Sequence, residues 1–70
     1  MGRVMELIIN GEAAQAPSGL TLLELLAQRN LKAQDVVVER NLALVPRDAF
    51  ATTVLEPGDN LEILHFVGGG

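Results

Sequence analysis

The chain has 70 residues, a formal net charge of −4 and no cysteine. This length suits one small domain, which buries only about 60% of its unfolded surface and therefore has a small core. Without cysteine it has neither a disulfide nor a thiolate metal site. Its five basic residues are scattered and phenylalanine is its only aromatic residue type besides one histidine, which argues against nucleic-acid binding.

The apolar runs are much shorter than the roughly 20 residues that span a bilayer. The first six residues resemble neither a signal peptide nor a myristoylation signal. We therefore expect a soluble cytoplasmic protein.

The first half of the chain predicts a hairpin followed by a helix. Val4–Ile9 is aliphatic and strand-like, Asn10-Gly11 is a hairpin turn sequence, and residues 12–16 form the returning strand. A capping box begins at Thr21, whose hydroxyl pairs with the amide of Glu24 while the Glu24 carboxylate pairs with the amide of Thr21. The leucines that follow have helical spacing: Leu22, Leu25 and Leu26. The helix should end near Asn30.

The second half predicts three more strands. Three consecutive valines in residues 36–40 indicate a strand buried on both sides, and residues 41–43 form a turn. A brief strand at residues 44–45 is ended by Pro46. One helical turn is expected at residues 48–50 and a type II turn at residues 56–59. The last strand is predicted over residues 61–67.

This order of elements predicts an α+β fold with a mixed sheet of four to five strands and one main helix packed on one face. We expect one domain over residues 1–67 and a flexible glycine tail at residues 68–70. The helix has a single apolar stripe, so it can cover only one face of the sheet.

Strand alternation predicts which side chains occupy the uncovered face. Because Glu62 requires water, Leu64 and Phe66 should lie with it on that face. An exposed apolar patch is typical of an interaction site. The predicted partner-binding surface consists of Ile8, Leu64, Phe66 and Val67; the alternative is that loops cover these residues.

No constellation of catalytic or metal-binding residues stands out, and we expect the chain to bind neither a cofactor nor a metal. His65 is the only histidine and is interpreted as a strand residue. Residues 47–54 form the connector between the fourth and the last predicted strand. Arg47 should attach this connector to a carboxylate, or else contact a partner, and Asp59 should stabilise its turn. The candidate reactive group is the carboxylate of Gly70.

Residues Gly68, Gly69 and Gly70 form a thin stalk without side chains, which reaches about 10 Å. Because glycine has no Cβ, such a stalk fits a slot that excludes other residues, such as the active site of another protein. The alternative is a frayed end or a cloning remnant.

Several of these features together resemble the ThiS family of sulfur carrier proteins of thiamine biosynthesis. They are the Asn-Gly hairpin, the helix that opens Thr-Leu-Leu-Glu-Leu-Leu, Val45-Pro46-Arg47, Gly58-Asp59 and the closing Phe-Val-Gly-Gly-Gly. The resemblance covers essentially the whole chain, although a Gly-Gly ending alone also occurs in ubiquitin and in MoaD. The chain departs from many relatives at Leu42, where a glycine is common, and at Phe50, where a bulkier aromatic residue is common.

The resemblance implies a β-grasp, ubiquitin-like fold and a protein co-substrate rather than an enzyme. An E1-like enzyme of the ThiF type, using ATP and magnesium, would adenylate the Gly70 carboxylate. A sulfur donor such as a cysteine desulfurase would then allow a thiocarboxylate to form, and a thiazole synthase of the ThiG type would accept the sulfur. Two alternatives stay open: a carrier for molybdopterin or cysteine synthesis, and a ubiquitin-like docking or modifier domain without sulfur chemistry.

Overall fold

The computed structural model describes residues 2–66. The helix and strands are β1 (Val4–Ile9), β2 (Glu12–Pro17), α1 (Leu22–Gln28), β3 (Val36–Arg40), β4 (Ala43–Val45) and β5 (Asn60–His65). Short 3-10 turns occupy Ala33–Asp35 and Arg47–Ala49. The strands form one sheet in the order β2-β1-β5-β3-β4. The pair β1 and β5 is parallel and the other pairs are antiparallel, which confirms the predicted mixed sheet and β-grasp arrangement.

The first hairpin has the predicted two-residue turn. Asn10 and Gly11 both have positive φ, 50° and 82°, as a type I′ turn requires. β2 extends one residue beyond the predicted strand, because Pro17 lies at the sheet edge and stays in register with Val4.

The second hairpin is tighter than predicted. Ala43 belongs to β4 and pairs with Arg40, so only Asn41 and Leu42 form the turn. Their φ angles are 52° and 73°. The backbone of Leu42 therefore has the left-handed conformation, and its side chain is 89% exposed at the tip of the hairpin.

The capping box of α1 is confirmed. The Thr21 hydroxyl accepts a hydrogen bond from the amide of Glu24 at 3.1 Å, and the Glu24 carboxylate accepts one from the amide of Thr21 at 2.9 Å. The helix ends at Gln28, and Asn30 follows in the left-handed conformation with φ 60°.

The core lies between α1 and one face of the sheet, and the connector before β5 closes its side. Its buried hydrophobic residues are Met5, Leu7, Ile9, Ala16, Leu22, Leu25, Leu26, Val36, Val38, Phe50, Leu55, Leu61 and Ile63. Val37 is only half-buried on the opposite face, so the prediction that β3 is buried on both sides is wrong. Within residues 2–66, no helix is long and apolar enough to cross a membrane.

Candidate docking face and base of the tail

One face of the sheet is not covered by the helix, and we call it the open face. Its strand positions follow from the burial pattern of β1 and from the pairing of each strand with its neighbours. They are Val4, Glu6, Ile8, Ala13, Gln15, Pro17, Val37, Glu39, Leu44, Asn60, Glu62 and Leu64. The core residues of the same strands alternate with them, so the face exists because the strands have a period of two.

The end of β5 brings apolar residues to the point where the chain leaves the sheet. Leu64 is 63% exposed and pairs with Val37 across β5 and β3. Phe66 is also exposed, and its amide donates to the Asp35 carbonyl at 2.7 Å. This hydrogen bond fixes the backbone of Phe66 at the end of β5, beside the beginning of β3. Phe66 is the last described residue, so the described chain ends two residues after Leu64.

Ile8 is exposed as well, but the structure places it apart from Leu64. It is in register with Asn60, four residues before Leu64 on β5. Four strand residues correspond to about 13 Å, and Glu62 lies between. The structure therefore does not bring Ile8 together with Leu64 and Phe66, as the predicted patch requires.

Leu44 and Val37 lie nearer to Leu64 than Ile8 does. Leu44 is opposite Glu39, which lies two residues from Val37 on β3, so Leu44 is the diagonal neighbour of Val37. We call Val37, Leu44, Leu64 and Phe66 the apolar end of the open face. Sequence reasoning missed Val37 and Leu44, because their positions depend on the register of β3 with both neighbouring strands.

A shallow cavity of about 170 Å³ adjoins this apolar end between β4 and the following connector. It is lined by Val36, Val37, Leu44, Val45, Pro46, Arg47 and Phe50. The sequence predicted that Arg47 binds a carboxylate or contacts a partner, but among residues 2–66 it pairs with no carboxylate. Its Nε donates to the Ala33 carbonyl at 2.8 Å and its Nη2 to the Val36 carbonyl at 3.4 Å. It thereby attaches the connector to the beginning of β3, since main-chain carbonyls are the acceptors within its reach.

Asp59 is the buried charged residue at the other end of β5, and it stabilises its turn as predicted. Its carboxylate accepts hydrogen bonds from the amide of Glu56 at 2.9 Å, from Arg40 Nε at 2.8 Å and from Asn41 Nδ2 at 3.1 Å. Burial by itself raises the pKa of Asp59, but these three donors and the Arg40 charge outweigh it and lower the pKa.

Among residues 2–66, no three histidine, aspartate or glutamate side chains lie together as a metal site would require. His65 lies exposed at the end of β5. The predicted site residues Val67, Gly68, Gly69 and Gly70 lie outside the described residues. Their roles, and the domain boundary at residue 67, stay predictions.

Three comparisons with known proteins point to the same family. The model of the ThiS family matches residues 1–70. The sulfur carrier protein ThiS of Escherichia coli is 29% identical over 66 residues, which cover 94% of this chain and all of that protein. The crystal structure of the thiamine biosynthesis protein ThiS from Geobacter metallireducens superimposes with a TM-score of 0.80 at 36% identity, and covers 94% of this chain and 100% of that one.

A different kind of relative is larger than this chain. A thiazole synthase of Paramagnetospirillum magneticum is 41% identical over 66 residues, which are 94% of this chain. The chain spans only 20% of the length of this thiazole synthase and of a second one from Magnetococcus marinus. The match of the family model over the whole chain, together with the fold that the Geobacter protein shares, shows that the chain belongs to the ThiS family.

Proposed function

We propose that this chain is a sulfur carrier of thiamine biosynthesis and acts as a co-substrate rather than as a catalyst. The observation that carries the proposal is the family match over residues 1–70, joined by relatives that are named as sulfur carriers. The described part of the chain supports it with a sheet whose apolar end includes Phe66, which precedes the first tail glycine by two positions in the sequence.

In the proposed chemistry, an oxygen of the Gly70 carboxylate attacks the α-phosphorus of ATP, and pyrophosphate leaves. This step converts a poor electrophile into a mixed anhydride with AMP as its leaving group. Hydrosulfide, or the terminal sulfur of a donor persulfide, then attacks the carbonyl carbon, and AMP departs with one carboxylate oxygen. Hydrosulfide gives the thiocarboxylate directly, whereas a persulfide gives an acyl disulfide whose S–S bond a thiol reductant then cleaves to release the thiocarboxylate. The carboxylate has a reference pKa of about 3.3–3.7, so it is ionised at neutral pH and ready for the first step.

The partner has to supply what this chain does not provide for that step. A carboxylate and a triphosphate repel each other, so the activating enzyme must bring magnesium and cationic groups to them. Three glycines without Cβ atoms suit a narrow channel leading to those groups. We therefore assign ATP and magnesium to the activating enzyme and no cofactor to this chain.

Three partners follow from this proposal. The first is an E1-like adenylating enzyme of the ThiF type, and the second is a sulfur donor such as a cysteine desulfurase. The third is a thiazole synthase of the ThiG type, which receives the sulfur. The third is supported by the two thiazole synthases in which a segment similar to this chain occurs within the same polypeptide.

Intact-mass spectrometry tests the proposal. The measurement first checks that Gly70 is the terminal residue of the working protein, which the chemistry requires. The chain is then incubated with ATP, magnesium, a ThiF-type enzyme and a sulfur source. We expect a mass gain equal to the exchange of one oxygen for sulfur. No gain in the wild-type chain would refute the carrier function.

A variant with one residue added after Gly70 is the matched control for that experiment. It keeps the whole domain and moves the carboxylate by one residue, so we expect no gain in mass. A normal gain in the extended chain would show that the sulfur is not bound at Gly70.

A thiamine requirement in a deletion strain separates thiazole formation from molybdopterin or cysteine synthesis.

A further inference from the structure

Two glutamates lie directly opposite each other on the open face. Glu39 of β3 pairs with Glu62 of β5 in the antiparallel register, and both side chains are exposed. Directly opposed residues have their Cβ atoms about 4.5–5.5 Å apart, and like charges in such a pair destabilise the sheet. A lysine or threonine at either position would avoid that cost, so the pair is unfavourable for the isolated domain.

No cation within the described residues compensates this pair. The one salt bridge among residues 2–66 joins Arg40 to Asp59. Arg40 follows Glu39 on β3, so its side chain projects from the opposite face. The charged strand residues of the open face are Glu6, Glu39 and Glu62, and none of its strand positions carries lysine or arginine.

Apolar side chains flank the glutamate pair on two sides, towards β4 and towards the end of β5. Leu44 lies opposite Glu39 on β4, and it is 66% exposed. Leu64 follows Glu62 on the same face of β5 and pairs with Val37. The open face therefore offers two adjacent carboxylates bordered by apolar surface. A guanidinium group with its planar fork can bridge two carboxylates at this spacing, and its alkyl stem can pack on leucine.

We propose that Glu39 and Glu62 form a binding site for an arginine of the activating enzyme, while Val37, Leu44 and Leu64 pack against apolar residues around that arginine. This inference rests on the proposed function, because it names how the carrier docks on its partner. A second copy of this chain is a poor occupant, since the open face carries three carboxylates and no basic strand residue. The site would place the docked enzyme beside the base of the tail.

The test uses Glu39→Gln, Glu62→Gln and the double variant. Each removes charge and keeps the shape and most of the hydrogen-bonding capacity of the side chain. Glu12→Gln is the matched control: it is an exposed strand glutamate that pairs with Ile9, a core position, and so lies off the open face. All four variants are compared with the wild type in stability and in thiocarboxylate formation by a ThiF-type enzyme.

The proposal predicts opposite signs for these two measurements. Without its partner, the double variant should be at least as resistant to heat as the wild type, because the repulsion between the two charges is gone. With the enzyme, its KM should rise about tenfold at low salt with kcat unchanged, and the difference should shrink as salt screens the interaction. Glu12→Gln should match the wild type in both measurements.

A charge reversal sharpens the test. Glu39→Lys places opposite charges across β3 and β5, so the free domain should melt at a higher temperature than the wild type. The same substitution repels the partner arginine, so its KM should exceed that of Glu39→Gln. If Glu39 instead stabilised the free domain, Glu39→Lys would melt at a lower temperature than the wild type.

The outcomes distinguish this site from the proposed function. Thiocarboxylate formation with equal KM in the wild type and the double variant would overturn the arginine site alone. No thiocarboxylate on the wild-type chain would overturn the proposed function and the site with it. If sedimentation shows that the wild type is a dimer, and that charge removal at Glu39 and Glu62 tightens the dimer, the occupant is a second copy and our inference is wrong.

Discussion

Asn10 and Ile63 are 53 positions apart and are joined by two hydrogen bonds. Asn10 Nδ2 donates to the Ile63 carbonyl at 3.2 Å, and Asn10 Oδ1 accepts from the Ile63 amide at 2.7 Å. The backbone amide of Asn10 already donates to the Leu61 carbonyl. The Asn10 side chain thus makes the two hydrogen bonds to β5 that a further backbone residue of β1 would make. It thereby extends the pairing of β1 with β5 beyond the end of β1.

We expect Asn10→Gly to destabilise the domain by about 1–3 kcal/mol, because the Ile63 amide and carbonyl lose their partners in a partly buried position. Glycine keeps the left-handed φ, so the loss reports on the hydrogen bonds. Asn10→Ala should cost about 1 kcal/mol more, since alanine also has to adopt positive φ. Urea unfolding measures both values. Equal stabilities of the wild type and Asn10→Gly would show that the two bonds contribute nothing.

Leu42→Gly should stabilise the domain. Leu42 has φ 73°, and this conformation costs a residue with a side chain roughly 1–2 kcal/mol. Glycine removes that strain but adds about 0.5–1 kcal/mol of chain entropy in the unfolded state, so we expect a net gain of about 0.5–1 kcal/mol. Leu42→Ala removes the side chain and keeps the strain, so it serves as the control. Equal melting temperatures for the two variants would contradict the strain argument.

Stability should decline in acid through Asp59. Its pKa in the folded state lies below the ordinary value of 3.8, so the ionised form is favoured by folding. The resulting stability is fully present above pH 3.8 and is lost as the pH falls through the lower folded-state pKa. At neutral pH, Asp59→Asn should cost about 1–3 kcal/mol, because the carboxamide lacks the charge that pairs with Arg40 and has only one acceptor oxygen for the three donors. The cost should shrink as the pH falls; a cost that is independent of pH would refute this assignment.

Gly69→Val should leave folding nearly unchanged and strongly reduce thiocarboxylate formation. The last buried hydrophobic residue of the described part of the chain is Ile63, and position 69 follows it by six residues in the sequence. The added β-branched side chain would obstruct a slot that accepts only glycine. Melting curves and intact mass check the two halves of this prediction. A large drop in melting temperature, with normal sulfur transfer, would reverse our interpretation of the tail.

Leu64→Ala and Ile8→Ala test the composition of the docking surface. Both residues are exposed, so neither substitution should change the melting temperature by more than a small amount. Because Leu64 belongs to the apolar end and Ile8 does not, Leu64→Ala should raise the KM for the activating enzyme several-fold more. An equal effect of the two substitutions on KM would support the surface predicted from the sequence, in which both residues contact the partner.

Short-range features of the fold were predictable from the sequence. The Asn10-Gly11 turn and the capping box at Thr21 each depend on residues within four positions of one another, and both occur as expected. The end of α1 near Asn30 follows from the same kind of local rule. In these segments, backbone geometry and side-chain chemistry favour the same structure, so a single stretch of sequence is sufficient.

Long-range positions were not predictable in the same way. The separation of Ile8 from Leu64 depends on how β1 and β5 are offset, and that offset is held by the Asn10 carboxamide and by the Ile8 amide bonded to the Asp59 carbonyl. The acceptors of Arg47 likewise come from β3 and the turn before it, 11 and 14 residues away. Alternation along one strand shows which side chains share a face, but it does not show which residues of the neighbouring strand lie beside them.

The position of β5 has a consequence for synthesis of the protein. This strand follows all the others in the chain, yet it lies in the middle of the sheet, between β1 and β3. While the ribosome is still making β5, the two hairpins have no strand to connect them, and Leu61 and Ile63 are missing from the core. Under the proposed function, an enzyme would therefore meet the glycines that come next only on a chain that already contains the strand joining both halves of its sheet.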